Sequence, residues 1–354
     1  MSVAIGAGRF AVGFLALFFA LTPLAAQHVS VSVFGLFLPQ ELIAAPVPGG
    51  RLNLLAGGEP LTLEGGRKAR LSRRGPSVGL AGAGMDSLAE LVTATPSVPA
   101  GRFLLEVPGK IRREFAGKLR VRVRGESLEA VVEMDLESAV AAIVAAEGGD
   151  GPPEALAALA VAVRSYLTAA AGRHSGYQFC DTTHCQYLAA PPSAASAAFR
   201  AAARTRGLVL SYRGARFAPL YSRSCGGTTR TSADVGFSGG AFPYRRVRCL
   251  GCSREPASWT ANRPARELSA ILFKPGDENA RLEVVRKLGW GAVPSNRYEI
   301  GRDGDHVLLE GAGEGHGVGL CQRGAIGLAS DGWPFREILG RYFPDASIVE
   351  FTGK

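Results

Sequence analysis

The chain has 354 residues, of which 47% are hydrophobic and 20% charged, with 46 glycines and 21 prolines. This composition is typical of a globular protein with a sizeable core and many turns, and the sequence contains no internal repeat or low-complexity tract. The net charge of +9 favours an anionic polymer as partner, and nucleic acid, anionic lipid and cell-wall polymer all qualify.

Residues 1–26 have the pattern of an export signal. Arg9 precedes an apolar run from Phe10 to Leu21, and small residues follow before Gln27. The run is short for a transmembrane helix, although an uncleaved anchor stays open, and no other segment could span a membrane. We therefore expect an exported protein of the periplasm or cell wall, with membrane contact only through this segment. Export argues against nucleic acid as a partner.

Residues 27–127 form a predicted β-rich N-terminal portion. Period-two alternation and short apolar runs between glycines and prolines predict strands at 28–34, 52–55, 61–63, 77–80, 102–107, 118–124 and 128–134. The remainder, residues 128–354, is predicted to be a mixed domain with a core helical pair and loop-rich strands. The expected fold class is therefore α+β.

Two helical patterns meet at a Gly/Pro break after Glu147. In the first, with Asp135 as its N-cap, Glu147 falls inside the apolar stripe at the helix end. The second is apolar on most sides, and Arg164 is nearly the only charge in its middle. Such a charge needs a partner, and Glu147 is the nearest carboxylate if the helices pack as a hairpin. Glu147 is thus either half of a structural ion pair or a general acid with raised proton affinity.

Shorter elements follow the helical pair. We predict a helix over 193–206, a hairpin of 208–212 with 215–221, and a helix over 267–273. Strand candidates lie at 282–288, 298–302 and 306–310, and two helices at 322–330 and 334–342 close the chain.

Four potential metal ligands lie close together after the second helix: His174, Cys180, His184 and Cys185. Two thiolates and two imidazoles fit a closed tetrahedral zinc site, which would be structural because no position is left for water. The alternative is a Cys180–Cys185 disulfide or unligated thiols.

Two glycine-containing motifs follow. In the first, Cys225 precedes two glycines and is followed later by Cys249-x2-Cys252, which favours a disulfide of unresolved pairing. In the second, residues 311–325, six glycines flank His316. This loop can bring backbone N–H groups and the imidazole close to a ligand, or it is simply a tight turn with a satisfied histidine.

Together these stretches resemble the SpoIID/LytB family, named for stage II sporulation protein D and the amidase enhancer LytB. The resemblance covers about residues 115–348. Its motifs are the helix ending at Glu147, E-A-L-x-A-x-A-V-A-x-R-S-Y at 154–166, C-D-T-T-H-C-Q at 180–186, S-C-G-G-T-T at 224–229 and G-H-G-V-G-L-C-Q-R-G-A at 315–325.

The resemblance implies a peptidoglycan lytic transglycosylase, a carbon–oxygen lyase that cuts peptide-stripped glycan strands and forms 1,6-anhydro-N-acetylmuramic acid. Glu147 would be its catalytic acid and base, and Arg164, Ser224, His316 and Gln322 would bind or position sugar. The alternative is a non-catalytic wall-binding protein with a separate amidase as partner.

The chain departs from the family pattern at three places. Gly148 follows the glutamate where methionine is usual, the Glu147-to-Glu154 spacing is about one residue short, and Ser222-Arg223-Ser224 replaces a common His-Ser-Thr triplet. The third departure removes a histidine that could assist sugar binding.

Overall fold

A computed structural model describes residues 27–351, apart from residues 99–100, 171–173, 183, 239 and 241 and the side chain of Asp303. The predicted export signal, residues 1–26, lies outside the described residues. None of the helices within the described part of the chain is long and apolar enough to cross a membrane.

The strands of the first half alternate between buried and exposed side chains, as the period-two pattern predicts. In one of them Leu52, Leu54 and Ala56 are buried, while Asn53 and Leu55 are exposed. The strands are β1 (His28–Val33), β2 (Glu41–Pro46), β3 (Leu52–Ala56), β4 (Glu59–Leu63), β5 (Ala69–Arg74), β6 (Ser77–Gly82), β7 (Met85–Ala89), β8 (Leu91–Pro96), β9 (Arg102–Val107), β10 (Ile111–Ala116), β11 (Lys118–Arg124), β12 (Ser127–Asp135) and β13 (Phe179–Cys180).

These strands form two sheets whose buried faces share one core. The larger sheet has the order β13-β1-β12-β11-β8-β3-β4, and the smaller has the order β10-β9-β2-β5-β6-β7. Strand β1 lies inside the larger sheet. It is antiparallel to β12, with His28 opposite Asp135, and parallel to β13, with Val31 opposite Phe179. The predicted β-rich portion and the domain that follows it therefore share a continuous sheet.

A helical pair continues directly from this sheet, as predicted. Its members are α1 (Leu136–Gly148) and α2 (Pro153–Ala169), and α3 (Ala197–Arg204) packs against both. The Asp135 carboxylate caps α1 by accepting a hydrogen bond from the Ser138 N–H at 3.0 Å. A Cβ at Gly148 would lie 2.5 Å from Leu156 Cδ2, so a larger residue there would require the leucine side chain to shift.

The remaining elements are shorter. They are β14 (Leu208–Tyr212), β15 (Ala215–Arg216), β16 (Tyr221–Ser222), α4 (Leu250–Arg254), β17 (Ser258–Pro264), α5 (Ser269–Phe273), α6 (Glu278–Leu288), β18 (Tyr298–Asp303), β19 (His306–Ala312), β20 (Leu320–Cys321), α7 (Gln322–Ser330), α8 (Phe335–Tyr342) and β21 (Ser347–Glu350). The predicted hairpin turn has positive φ at Arg213 and Gly214, but β15 is only two residues long.

Residues 258–312 build a small unit with its own hydrophobic core. Its sheet has the order β17-β19-β18, and α5 and α6 pack in the same unit. The predicted strand at 282–288 is wrong, because these residues belong to α6. The Asp277 carboxylate caps this helix by accepting a hydrogen bond from the Ala280 N–H at 2.8 Å. The helix buries Val284 and Val285. The short apolar run does not by itself distinguish a buried strand from a helix.

Candidate functional site

Glu147 lies half-buried on the last turn of α1. Its neighbour from a distant part of the chain is Gln322, the first residue of α7, whose Nε2 donates to Glu147 Oε2 at 3.3 Å. Gln322 itself is only 7% exposed, so its amide is held in place. The structure thus joins two residues that the sequence analysis assigned to one site.

The environment of Glu147 favours the protonated carboxyl group. Burial raises its pKa above the ordinary value, and this effect outweighs the hydrogen bond from Gln322 and the positive charge of Arg223, which lower it. The negative charge of Glu314 raises the pKa further. A carboxyl group that retains its proton at higher pH than usual is suited to act as a general acid.

Short strand pairing brings Arg223 and Glu314 to Glu147. Strand β16 is parallel to β20, and the backbone of Ser224, just beyond β16, exchanges two hydrogen bonds with that of Glu314, at 3.1 and 2.8 Å. The side chains of Arg223 and Glu314 form an exposed ion pair at 3.4 Å. The site therefore has an exposed charged rim, formed by Arg223 and Glu314, beside the half-buried carboxyl group of Glu147.

Tyr221 is another residue near the Glu147 carboxyl group. Burial is the main cause of its strongly raised pKa, and the charge of Glu147 adds to it. Tyr221 and Arg223 immediately precede the Cys-Gly-Gly motif, and Glu314 lies inside the glycine loop. The motifs in these stretches point to a missing histidine and to His316, and they give no local signal for Tyr221, Arg223 or Glu314.

His316 is connected to the site through Tyr221. Its Nδ1 accepts a hydrogen bond from the Val318 N–H at 3.0 Å, and the ring also hydrogen-bonds to the Tyr221 backbone. Burial lowers its pKa, which favours the neutral imidazole with the proton on Nε2. Both ring nitrogens are thus used within the protein, and the ring packs edge-on against Phe237. This geometry matches the alternative of a satisfied histidine that shapes the loop.

The predicted partnership of Glu147 with Arg164 is wrong. Arg164 pairs with Glu137 on the first turn of α1, at 2.8 Å from Nε and 2.5 Å from Nη2. Its guanidinium also donates to the carbonyls of Ala202 and Leu208, and the residue is 0% exposed. Arg164 therefore holds α1, α2 and the end of α3 together and has no surface for a sugar. The reason is that Glu137, at the other end of α1, lies closer to Arg164 once the two helices pack.

Ser224 is also placed differently from the expectation. It is 3% exposed, and its Oγ lies 3.3 Å from the sulfur of Cys252. Its hydroxyl therefore contacts Cys252, and the residue is too buried for the sugar-binding role expected of it.

The structure brings His174, Cys180, His184 and Cys185 together, with their ligand atoms all within 4.8 Å of one another. His174 Nε2 lies 3.2 Å from Cys185 Sγ, and His184 Nδ1 lies 3.7 Å from Cys180 Sγ and 3.6 Å from Cys185 Sγ. A tetrahedral zinc site has sulfur–nitrogen edges of about 3.5 Å, given Zn–S near 2.3 Å and Zn–N near 2.0 Å. The donor set therefore fits a closed zinc site.

This group of ligands is fixed to the large sheet. Cys180 ends β13, and the next residue, Asp181, accepts hydrogen bonds from the Phe34 N–H at 3.3 Å and from Arg113 at 3.1 Å. A zinc ion here would fasten the segment after α2 to β1.

The disulfide expected among Cys225, Cys249 and Cys252 does not form in the structure. None of the chain's six cysteines, all of which lie in the described ranges, is in a disulfide. Instead these three converge with Cys321, which the sequence analysis did not include.

Comparison with known proteins agrees with this architecture. Residues 124–212 match the family model of the stage II sporulation protein, SpoIID, and this stretch contains Glu147, Arg164 and the His174–Cys185 ligands. An uncharacterized protein of Brachyspira hyodysenteriae is 27% identical over 271 residues, which are 68% of this chain and 73% of that protein. SpoIID proteins are related to the bacterial cell wall outside the cytoplasm. The comparisons therefore show similarity to SpoIID proteins at residues 124–212, the stretch that contains Glu147.

Proposed function

We propose that the protein is a peptidoglycan lytic transglycosylase with Glu147 as its general acid and base. The observation that carries the proposal is the half-buried Glu147 carboxyl group, with its raised pKa and its hydrogen bond from the Gln322 amide. The rival function, a non-catalytic activator of an amidase, requires no proton donor at this position.

The reaction needs one group that first gives and then takes a proton. Protonated Glu147 donates to the glycosidic oxygen as the bond between that oxygen and C1 of N-acetylmuramic acid breaks. The 6-hydroxyl of the same sugar then attacks C1 and closes the 1,6-anhydro ring, while its proton passes to the Glu147 carboxylate. No water enters the product, in contrast to paired-carboxylate hydrolases. Gln322 keeps the carboxyl group oriented through both transfers.

The charged rim favours peptide-stripped strands as the substrate. Removal of the stem peptide leaves a free lactyl carboxylate on each muramic acid. Arg223 is an exposed cation beside Glu147 and is paired only loosely with Glu314, at 3.4 Å. An arginine in this place binds a carboxylate well. Arg223 thus takes the substrate-binding role that the sequence analysis gave to Arg164 and Ser224.

We also propose one structural Zn²⁺ at His174, Cys180, His184 and Cys185. The fit of the measured sulfur–nitrogen distances to a tetrahedron supports it. The ion would stabilise the loop after α2 and would take no part in the proton transfers.

The decisive experiment incubates the protein with peptide-free glycan strands and identifies the new ends by mass spectrometry. We expect 1,6-anhydro ends from the wild type and a loss of about 10² to 10⁴ in rate for Glu147→Gln, with the fold and glycan binding retained. Glu337→Gln, which alters an exposed carboxylate on α8, is the matched control. Reducing ends in place of anhydro ends would identify a hydrolase. Binding without any cleavage by the wild type would favour the amidase activator.

A further inference from the structure

Four cysteines from three separate stretches meet beside the candidate site. Cys225 follows β16, Cys249 and Cys252 lie at and within the first turn of α4, and Cys321 ends β20. All four are at most 2% exposed, and their sulfur atoms all lie within 4.8 Å of one another. The sulfurs of Cys252 and Cys321 are 3.4 Å apart.

This spacing fits a mononuclear tetrathiolate centre. Four sulfurs at about 2.3 Å from one ion have edges of about 3.8 Å, a value between the 3.4 Å that separates Cys252 from Cys321 and the 4.8 Å within which all four sulfurs lie. A four-iron cluster needs sulfurs further apart, because the iron–sulfide cube stands between them. Two disulfides would pair the sulfurs and would not require all four to lie within 4.8 Å of one another.

Hydrogen-bond donors surround the sulfurs. The backbone N–H groups of Cys225 and Gly324 both donate to Cys321 Sγ at 3.3 Å. The hydroxyls of Tyr342 and Ser224 lie 3.4 Å from Cys249 Sγ and 3.3 Å from Cys252 Sγ. Donors directed at sulfur stabilise the thiolate, the form that binds metal, and orient it as outer partners do in metal sites.

We propose that Cys225, Cys249, Cys252 and Cys321 bind one thiophilic metal ion, in the first place Zn²⁺, in a closed tetrahedral site. The C-x2-C pair at the start of α4 supplies two ligands, and Cys225 after β16 and Cys321 at the end of β20 supply the others. With all four positions taken by protein, the ion is structural. The proposal stands independently of any glycan chemistry.

The position of this centre indicates which parts of the chain the ion would hold together. Cys321 immediately precedes Gln322, the hydrogen-bond partner of Glu147, and Cys225 lies two residues after Arg223. One ion would thus fasten together the two short strands that hold the partners of the Glu147 carboxyl group. Strands of two residues each have too few hydrogen bonds to do so alone.

Metal analysis of the full protein, purified without chelator, tests the proposal. We expect about two metal ions per chain in the wild type, one of which is lost in Cys249→Ser/Cys252→Ser. The matched variant Cys180→Ser/Cys185→Ser should lose the other and keep the tetrathiolate ion. A Cys180→Ser/Cys185→Ser protein that folds but holds no ion would overturn the proposal, as would wild type without metal.

A second measurement covers the case in which the cluster variant fails to fold. The Cys180→Ser/Cys185→Ser protein is loaded with Co²⁺, and its visible and near-ultraviolet spectrum is recorded. We expect the tetrahedral bands with strong sulfur-to-cobalt charge transfer that four thiolates produce. Octahedral Co²⁺ bands, or a disulfide among the four cysteines found by peptide mapping under non-reducing conditions, would refute the site.

Discussion

At the scale of single residues, burial raises the pKa of Glu147, and three neighbouring groups adjust it in opposite directions. Gln322 and Arg223 lower its pKa, while Glu314 raises it. Because a general acid must be protonated, activity should fall as pH rises through the pKa of Glu147.

We predict that Gln322→Ala moves the basic limb of the kcat/KM profile to higher pH and that Glu314→Gln moves it to lower pH. The first change removes a bond to the ionised form, and the second removes a repelling charge. The measurement is the pH dependence of glycan cleavage, with Glu337→Gln as the control that leaves the profile in place. Shifts of the same sign in both variants would contradict the assignment of the acid to Glu147.

The Arg164–Glu137 ion pair leads to a prediction about the stability of the protein. Loss of one partner leaves an uncompensated buried charge, so Arg164→Ala should cost about 3–5 kcal/mol in the free energy of unfolding. Urea unfolding measures this cost. Lys287→Ala breaks the exposed pair with Glu283 on α6 and should cost less than about 1 kcal/mol. An Arg164→Ala protein of normal stability that no longer bound glycan would restore a sugar-binding role.

At the scale of elements, helix α7 depends on a glycine for its close packing. A Cβ at Gly324 would lie 2.0 Å from Tyr342 Oη and 2.3 Å from Cys249 Sγ. Gly340, on the exposed face of α8, has no atom within 4 Å of the same position. Both glycines therefore lie in helices, but only Gly324 is closely packed against other residues.

We predict that Gly324→Ala destabilises the protein by roughly 1–3 kcal/mol and weakens metal retention, because overpacking displaces Cys249 or Tyr342. Gly340→Ala should stabilise it by about 0.5–1 kcal/mol, since alanine is the better helix former. Thermal unfolding and metal content of both variants test the pair. Equal effects would mean that Gly324 has no special packing role.

Local patterns predicted most elements, because capping and periodicity act within a few residues. The Asp135 cap, the helical pair, the outer strands and α7 all follow from such signals. The helix at 282–288 was missed because its short apolar run fits either period.

Long-range partners could not be predicted in the same way. Cys225 and Cys321 are 96 residues apart, and Glu137 and Arg164 are 27 apart. Nothing in local spacing states that such residues meet, so the expected disulfide and the Glu147–Arg164 pair were both wrong. The meeting of Glu147 with Gln322 was reached through a family resemblance, and the structure alone gives its distance.

At the scale of the whole molecule, the net charge of +9 is distributed over a protein whose proposed ligand is a polyanion. Association with peptide-stripped glycan should weaken steeply with salt, because exposed charges are screened over about 10 Å at 0.1 M ionic strength. Binding isotherms at several salt concentrations test this. Chitin oligosaccharides, which lack the lactyl carboxylate, should show little salt dependence, and equal dependence for both ligands would argue against carboxylate recognition.

The position of β1 within the large sheet has a consequence for how the chain folds. Its partners, Asp135 in β12 and Phe179 in β13, are synthesised far later than His28 and Val31. The first strand therefore has unpaired backbone groups until β12 has been synthesised, and its second edge stays unpaired until β13 follows. Such non-local pairing forms slowly, and until it forms the unpaired strand edge can associate with other chains. A holding chaperone acting on the nascent chain would accordingly protect this protein at its amino-terminal strand.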